Sequence, residues 1–258
     1  MHYGLSSVRQ DSFAIGSSSG NDCQWVIAAI ADGVSSSAQS HTFADYMARQ
    51  AVILISDELP LIPNGALNNH DFWADIATRL VGISDEFCRI AAKRIVSEEK
   101  SEEVDKALPR DFVRKWATTL EFVIIQASFK NPGADAEFVH VTVAGDGAAF
   151  VLNEEQGWNT VRMGKRRSGA IVSNAVLSLP LIPEEFSVNF GFLRKNDCFI
   201  LTTDGLGDFI GDGSSPLGGF FQANLPKCES LASFLQIVDV SLYQADDDRT
   251  IIMIKRNG

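Results

Sequence analysis

Two apolar segments of this sequence end in the same dipeptide, and this feature limits the possible folds more than any other. The apolar and β-branched run Phe199–Thr203 stops at Asp204-Gly205, and Trp25–Ala31 stops in the same way at Asp32-Gly33. Runs of this kind that end at a glycine turn are typical of buried strands. A single Asp-Gly pair is most often an ordinary turn. Its repetition on two comparable strands predicts two carboxylates held at strand ends and directed at one point.

The periodicity of the chain changes from helical to strand-like near its middle. Amphipathic helices are predicted from about Ser40 to Pro60 and from Asp71 to Val96. From Trp116 onward, apolar and β-branched residues follow the alternation of strands. Helices followed by many strands favour an α+β layered domain with antiparallel sheets over a doubly wound parallel sheet.

Two local predictions concern the second half of the chain. Glu137–Ala144 and Ala148–Leu152 are predicted to pair as a hairpin through the Gly145-Asp146-Gly147 link. Residues 206–226 contain several glycines and two prolines, and we expect an irregular lid or loop there.

The charge and cysteine content exclude some classes of protein. The 258 residues carry a formal net charge of -11, which argues against a nucleic acid or an anionic membrane as partner and suits a protein that concentrates cations. The four cysteines form no C-x-x-C pair, which predicts free thiols in a reducing compartment. Without a signal-peptide pattern or a membrane-length apolar run, we expect a cytoplasmic protein.

Five aspartates flank the apolar strands, and their convergence would create a cation site. They are Asp11, Asp32, Asp146, Asp204 and Asp247. Their mutual repulsion in a partly dehydrated pocket could be relieved only by protonation or by cations. Ligation by oxygen alone indicates Mg²⁺ or Mn²⁺, and Ca²⁺ is less favoured because no EF-hand loop is present. A paired site of this kind lowers the pKa of a bound water and neutralises a phosphoryl group.

These residues belong to short segments that stand in the order of a known family. The segments are Gln10-Asp11-Ser12-Phe13, Ala31-Asp32-Gly33-Val34, Ala117-Thr118-Thr119-Leu120, Ala144-Gly145-Asp146, Thr203-Asp204-Gly205-Leu206 and Asp247-Asp248-Arg249-Thr250. The sequence resembles the metal-dependent protein phosphatases of type 2C in their compact bacterial form. The resemblance implies a single domain over residues 1–258, with a four-layer α-β-β-α sandwich of two central antiparallel sheets flanked by helix pairs.

The resemblance also implies a reaction and a set of site residues. A water that bridges two Mn²⁺ or Mg²⁺ ions would hydrolyse serine and threonine phosphoesters of phosphoproteins, and a third, weaker ion binds in some members. The implied partners are a phosphorylated protein substrate and a cognate Ser/Thr kinase. The implied catalytic residues are Asp11, Asp32 and Asp204. The implied metal ligands are Asp11 (through water), Asp32 (bridging), Gly33 (through its carbonyl), Asp146 (third ion), and Asp204 and Asp247 (second ion).

The sequence departs from the family pattern near the expected phosphate site. Many members carry an arginine where this chain has Ser6, and Arg9 is too close to Gln10 to match it. The Val34–Ser37 segment lacks the usual glycines and a histidine that some relatives use as general acid. An alternative is therefore a weak or inactive pseudophosphatase that acts as a regulatory or interaction module. A third reading is a metal-dependent phosphohydrolase that acts on nucleotides. The basic run Lys165–Arg167 is either a solvated face or a guide for a phosphorylated substrate.

Overall fold

A computed structural model describes residues 9–20, 23–62, 66–128, 133–163, 177–181, 186–240 and 248–257. Its strands are β1 (Ser12–Ser19), β2 (Cys23–Ala31), β3 (Leu120–Ser128), β4 (Ala136–Ala144), β5 (Ala148–Asn153), β6 (Gly157–Arg162), β7 (Ser187–Leu193), β8 (Cys198–Thr202) and β9 (Ile251–Lys255). Its α-helices are α1 (Ser40–Glu58), α2 (His70–Ile95), α3 (Ser101–Lys106), α4 (Pro109–Phe112), α5 (Asp204–Ile210), α6 (Pro216–Asn224) and α7 (Leu231–Val238).

The described strands form two antiparallel sheets. The five-stranded sheet has the order β1-β2-β3-β4-β7, and the four-stranded sheet has the order β6-β5-β8-β9. Helices α1 and α2 pack on the outer face of the first sheet, and α5 and α6 pack on the outer face of the second. The predicted α+β class with two antiparallel sheets between helical layers is therefore confirmed.

The alternation of side chains along the strands creates three apolar layers. In β4, Val139 and Val141 face the helices, whereas Phe138 points between the sheets and packs against Phe199 of β8. Successive residues of a strand point to opposite faces, so a strand buried on both faces is apolar throughout.

Helix α2 agrees closely with the sequence prediction. The Asn69 side chain accepts hydrogen bonds from the N–H groups of Asp71 and Phe72, which fixes the start of the helix. Trp73, in the first turn of α2, is fully buried, and its indole N–H donates to the Leu67 carbonyl at 2.7 Å. In the part of the chain that the structure describes, no helix is both long and apolar enough to cross a bilayer.

The predicted hairpin through Gly145-Asp146-Gly147 is wrong. Strand β4 belongs to the five-stranded sheet and β5 to the four-stranded sheet, so the short link carries the chain from one sheet to the other. Gly145 adopts a φ of 123°, a conformation that other residues rarely reach. The turn residues that resemble a hairpin signal therefore serve a sharp crossing between layers.

The irregular loop predicted for residues 206–226 is also wrong. Helices α5 and α6 occupy most of this segment, and α6 begins with Pro216 after the N-cap Ser215, whose hydroxyl accepts from the Gly218 N–H at 2.9 Å. Glycines in this segment, such as Gly207 and Gly218, allow close packing of the helices on their neighbours. A Cβ on Gly207 would lie only 2.8 Å from the Ala148 Cβ. The basic run Lys165–Arg167 lies outside the described residues.

Candidate active site

A hydrogen-bonded link between the two sheets holds Asp11 at the start of β1. Asp11 is 6% exposed, and the Thr203 hydroxyl donates to its Oδ2 at 2.8 Å. Thr203 follows β8, and its hydroxyl oxygen accepts from the Thr250 N–H at 3.0 Å. The Thr203 N–H in turn donates to the Thr250 carbonyl at 3.2 Å. The ends of β1, β8 and β9 therefore meet at this carboxylate.

Asp32 is positioned through its main chain by two threonines that precede β3. The Asp32 N–H donates to the Thr119 hydroxyl at 2.8 Å. The Asp32 carbonyl accepts from the Thr119 N–H at 2.8 Å and from the Thr118 hydroxyl at 2.9 Å. Because β2 has already ended, these bonds replace the sheet ladder and fix the backbone from which the carboxylate projects.

Gly33 allows the β2 end to approach β1 closely. Its N–H donates to the Gln10 carbonyl at 3.2 Å, which places Asp32 beside Asp11. A Cβ on Gly33 would lie 2.9 Å from the Gln10 carbonyl oxygen and 2.9 Å from the backbone of Ser40. Only glycine fits this position without moving one of the two segments.

Burial dominates the electrostatics of Asp11. Loss of solvent raises the pKa of Asp11 above its ordinary value, while the Thr203 hydroxyl and the Asp32 side chain oppose the rise. The negative charge of Asp248 increases the pKa further. Oδ1 of Asp11 is buried and has no hydrogen-bond partner among the described residues. The free acid is therefore stabilised relative to the carboxylate, and a cation would reverse that preference.

Asp204 and Asp248 lie on segments in direct contact. Asp204 begins helix α5 immediately after Thr203, and the α-carbon of Gly205 lies against the Asp248 carbonyl. The Asp248 side chain accepts a short hydrogen bond from the Gln10 N–H. The β8–α5 junction and the residues before β9 therefore pack against the start of β1.

Asp146 lies on the crossing between the sheets. Gly145 packs on the Thr119 side chain, and Gly147 approaches the Thr202 carbonyl so closely that a Cβ there would lie 2.8 Å from its oxygen. Arg162, at the end of β6, donates to the Gly145 carbonyl at 2.7 Å. The crossing that carries Asp146 therefore lies between Thr119, which holds the Asp32 backbone, and the end of β8.

The structure brings the segments of four predicted site aspartates together. The hydrogen bond from the Gly33 N–H to the Gln10 carbonyl places Asp32 beside Asp11, and the segments of Asp204 and Asp146 contact the same threonines or their neighbours. Asp247 lies outside the described residues. Within the described ranges, no group of three His, Cys, Asp or Glu side chains is close enough to hold a metal ion. The assignment of ligands therefore stays a prediction.

Sequence reasoning did not assign a site role to Thr119, Thr203 or Asp248. The hydroxyl groups of the two threonines hold Asp32 and Asp11. Asp248 is next to the predicted Asp247, and its contact with Gln10 places it at the site. The available signal for Thr203 and Asp248 was their position directly beside Asp204 and Asp247, whereas Thr119 has no acidic neighbour in the sequence.

Comparison with known families identifies the class of protein. The family model described as Protein phosphatase 2C matches residues 1–239. The chain belongs to this family, as the acidic motifs predicted. A search of curated proteins finds no match to the chain.

Solved structures show the same fold at low sequence identity. The serine/threonine phosphatase Stp1 from Staphylococcus aureus is 12% identical with a TM-score of 0.54, over 98% of this chain and 91% of that protein. The catalytic domain of the phosphatase PstP, solved with two manganese ions, is 13% identical with a TM-score of 0.53, over 96% and 92%. RsbX, solved with magnesium, is 16% identical with a TM-score of 0.52, over 96% and 88%.

Proposed function

We propose that this chain is a metal-dependent phosphatase that hydrolyses serine and threonine phosphoesters of phosphoproteins. The observation that carries the proposal is the placement of Asp32 beside Asp11 by the Gly33–Gln10 hydrogen bond, in a chain that belongs to the protein phosphatase 2C family. The two acids lie at the seam between the sheets, the place where the ends of β1, β2 and β8 meet. A cognate Ser/Thr kinase would supply the substrate. The proposal treats residues 1–258 as one phosphatase domain.

The residues at the seam fit divalent ions of the Mg²⁺ or Mn²⁺ type. The donors there are carboxylate and carbonyl oxygens, which these ions prefer. The buried Oδ1 of Asp11, which lacks a hydrogen-bond partner among the described residues, is available as an acceptor. We assign the ions to Asp11, Asp32, the Gly33 carbonyl, Asp204 and Asp247, with Asp146 for a third ion. Structures of PstP with manganese and of RsbX with magnesium support this choice of ion.

The chain's own residues would orient the reacting groups. Bound divalent ions supply the charge that activates water and neutralises the phosphoryl oxygens. Thr119 and Thr203 hold Asp32 and Asp11 in place, so these acids need little rearrangement when a substrate binds. Arg9 lies beside the site, where its guanidinium donates to the Thr250 hydroxyl at 2.6 Å.

Phosphate release from a phosphoserine peptide tests the proposal. With Mn²⁺ or Mg²⁺ the chain should release phosphate, and Asp32→Asn and Asp204→Asn should each lower kcat/KM by at least about 100-fold, as expected for loss of electrostatic stabilisation. Asp75→Asn is the matched control, because Asp75 is two-thirds exposed on α2. Activity that survives a chelator would contradict the metal mechanism.

The departures at Ser6 and Val34–Ser37 favour a second candidate function. A pseudophosphatase would bind Mn²⁺ and phosphoprotein partners without turnover. The Val34–Ser37 segment is held by the residues before β3, through the Val34 N–H to Ala117 and the buried Ser37 hydroxyl to Val113. Calorimetric binding of Mn²⁺ together with undetectable phosphate release would support this function over the enzyme.

A further inference from the structure

A cavity of about 490 Å³ opens next to Gly145, where β4 and β6 end and β7 begins. Its described polar lining consists of His70, Thr142, Arg162 and Ser187, together with the backbone of Gly145. The Gly145 backbone connects the cavity to the candidate active site, because Gly145 precedes Asp146 and packs on the Thr119 side chain. A group bound here would lie beside the proposed reaction centre without occupying it.

Arg162 is the permanent positive charge among the described residues that line this cavity. Its side chain is 20% exposed, and one of its terminal nitrogens donates to the Gly145 carbonyl at 2.7 Å. A guanidinium offers five N–H donors. Within the described residues, that carbonyl is its hydrogen-bond acceptor, and the Glu121 carboxylate lies at 3.9 Å from Nε. Most of the donors therefore remain for a ligand.

Thr142 adds an independent sign of a ligand site. It lines the cavity and is 5% exposed, and its hydroxyl has no hydrogen-bond partner among the described residues. A buried hydroxyl without a partner has lost its water contacts with nothing in exchange, so a bound ligand that offers an acceptor or a donor would satisfy it. Ser187 lies opposite Thr142 in the β4–β7 pair and contributes a second hydroxyl.

Glu121, the buried acid near the cavity, already has a hydrogen-bond partner in His140. Glu121 is 1% exposed, and its Oε2 lies 3.1 Å from Nε2 of His140. The Asn189 amide lies 3.4 Å from the other ring nitrogen, which fits an imidazole that donates from Nε2 to Glu121. Glu121 is absent from the described lining, so its charge reduces the field of Arg162 without facing a ligand.

We propose that this cavity is a subsite for an oxyanion that the substrate carries next to its phosphorylated residue. The oxyanion is a carboxylate or a second phosphate, held by the Arg162 guanidinium and the Thr142 hydroxyl. The inference rests on the proposed phosphatase function and names a preference of the same site. The net charge of -11 repels an anionic substrate over most of the surface. The partly buried guanidinium of Arg162 attracts the oxyanion locally, at short range.

Matched phosphoserine peptides test the subsite through a selectivity ratio. Three peptides carry one phosphoserine each and differ in the flanking residues, which are asparagines, aspartates or a second phosphoserine. We expect kcat/KM to favour the acidic peptides over the neutral one by about tenfold, the low end for hydrogen bonds to a charged group. Arg162→Gln should bring this ratio close to one, and Thr142→Val should lower it by about threefold.

The ratio separates recognition from structural damage, which would slow all peptides alike. Arg89→Gln is the matched control, since Arg89 also donates to main-chain carbonyls, but on α2 against residues 104 and 105. Arg162→Lys keeps the charge and should retain part of the ratio if the glutamine variant fails to fold. A wild-type ratio of one, or a ratio unchanged in Arg162→Gln and Thr142→Val, overturns the inference.

A binding measurement separates failure of the subsite from failure of the proposed function. A labelled unphosphorylated aspartate peptide, titrated by fluorescence anisotropy in the presence of a chelator, needs neither metal nor hydrolysis. Binding that Arg162→Gln weakens about tenfold supports the subsite even if no phosphate release is found. Equal binding by both proteins overturns it. Competition by inorganic phosphate shows whether the free ion is also a ligand.

Discussion

Replacing Gly33 with alanine tests whether close packing at the end of β2 sets the position of Asp32. The new methyl group would lie 2.9 Å from the Gln10 carbonyl oxygen and from the backbone of Ser40. An ordinary contact begins at 3.4 Å, so each neighbour would have to retreat by about 0.5 Å. Both neighbours are tied to secondary structure, Gln10 to β1 and Ser40 to the start of α1.

The expected destabilisation follows from this crowding. Overpacking of a buried position costs about 1–3 kcal/mol of unfolding free energy, and the lower entropy of the unfolded alanine chain returns about 0.4–1 kcal/mol. We therefore expect Gly33→Ala to lose about 1–2 kcal/mol, a fall in Tm of about 2–8 °C for a chain of this size. Phosphatase activity should fall more steeply than stability, because the displaced segment carries Asp32.

Gly82→Ala is the control for this experiment. Gly82 lies inside α2, and a Cβ there would meet nothing within 4 Å. The substitution should raise the free energy of unfolding by about 1 kcal/mol through helix propensity. Urea denaturation followed by circular dichroism measures both variants. If Gly33→Ala proves as stable as Gly82→Ala, the packing argument is wrong.

Three further predictions concern buried polar groups. Thr119→Val removes the acceptor of the Asp32 N–H and should lower the free energy of unfolding by about 1–3 kcal/mol in urea denaturation. Thr119→Ser keeps the hydroxyl and should lower it less. Equal losses in the two variants would refute the role of this bond. Trp73→Phe deletes the hydrogen bond to Leu67 and should lower the unfolding free energy by about 2 kcal/mol, and an unchanged urea midpoint would contradict this. Burial raises the pKa of the Cys88 thiol to about 12. Because the unfolded thiol ionises near pH 8.5, its contribution to stability is complete below that pH and is lost as the pH rises toward the folded value. Cys88→Ala should therefore reduce the slope of unfolding free energy against pH above about 8.5, and an identical slope would oppose this explanation.

Local sequence patterns were sufficient for the elements that use one periodicity. The predicted helix Asp71–Val96 matches α2, and the apolar run after Trp25 matches β2. These segments succeed because the face that is buried repeats regularly along the chain. The acidic motifs predicted the family correctly, because their order along the chain is that of the family.

The predictions of a hairpin at Gly145–Gly147 and of a loop at residues 206–226 were wrong because glycine has more than one structural use. Glycine at Gly145 serves a crossing between sheets, and glycine at Gly207 serves helix packing against Ala148, yet both resemble turn signals in the sequence. Arg162 could not be connected to the site, because its contact with Gly145 depends on the pairing of β6 with β5. Partners chosen by sheet topology leave no local pattern in the sequence.

The Thr203 hydroxyl connects the ends of β1, β8 and β9 through hydrogen bonds to a single oxygen. It gives its proton to Asp11 on one sheet and accepts an N–H from the segment before β9 on the other. If the sheets slid against each other, the bond from Thr203 to Asp11 would break while the hydrogen bonds within each sheet stayed intact. On gentle heating, the proposed phosphatase activity should therefore be lost before the circular dichroism of the strands changes, because Asp11 is held by a bond between the sheets and not by either sheet alone.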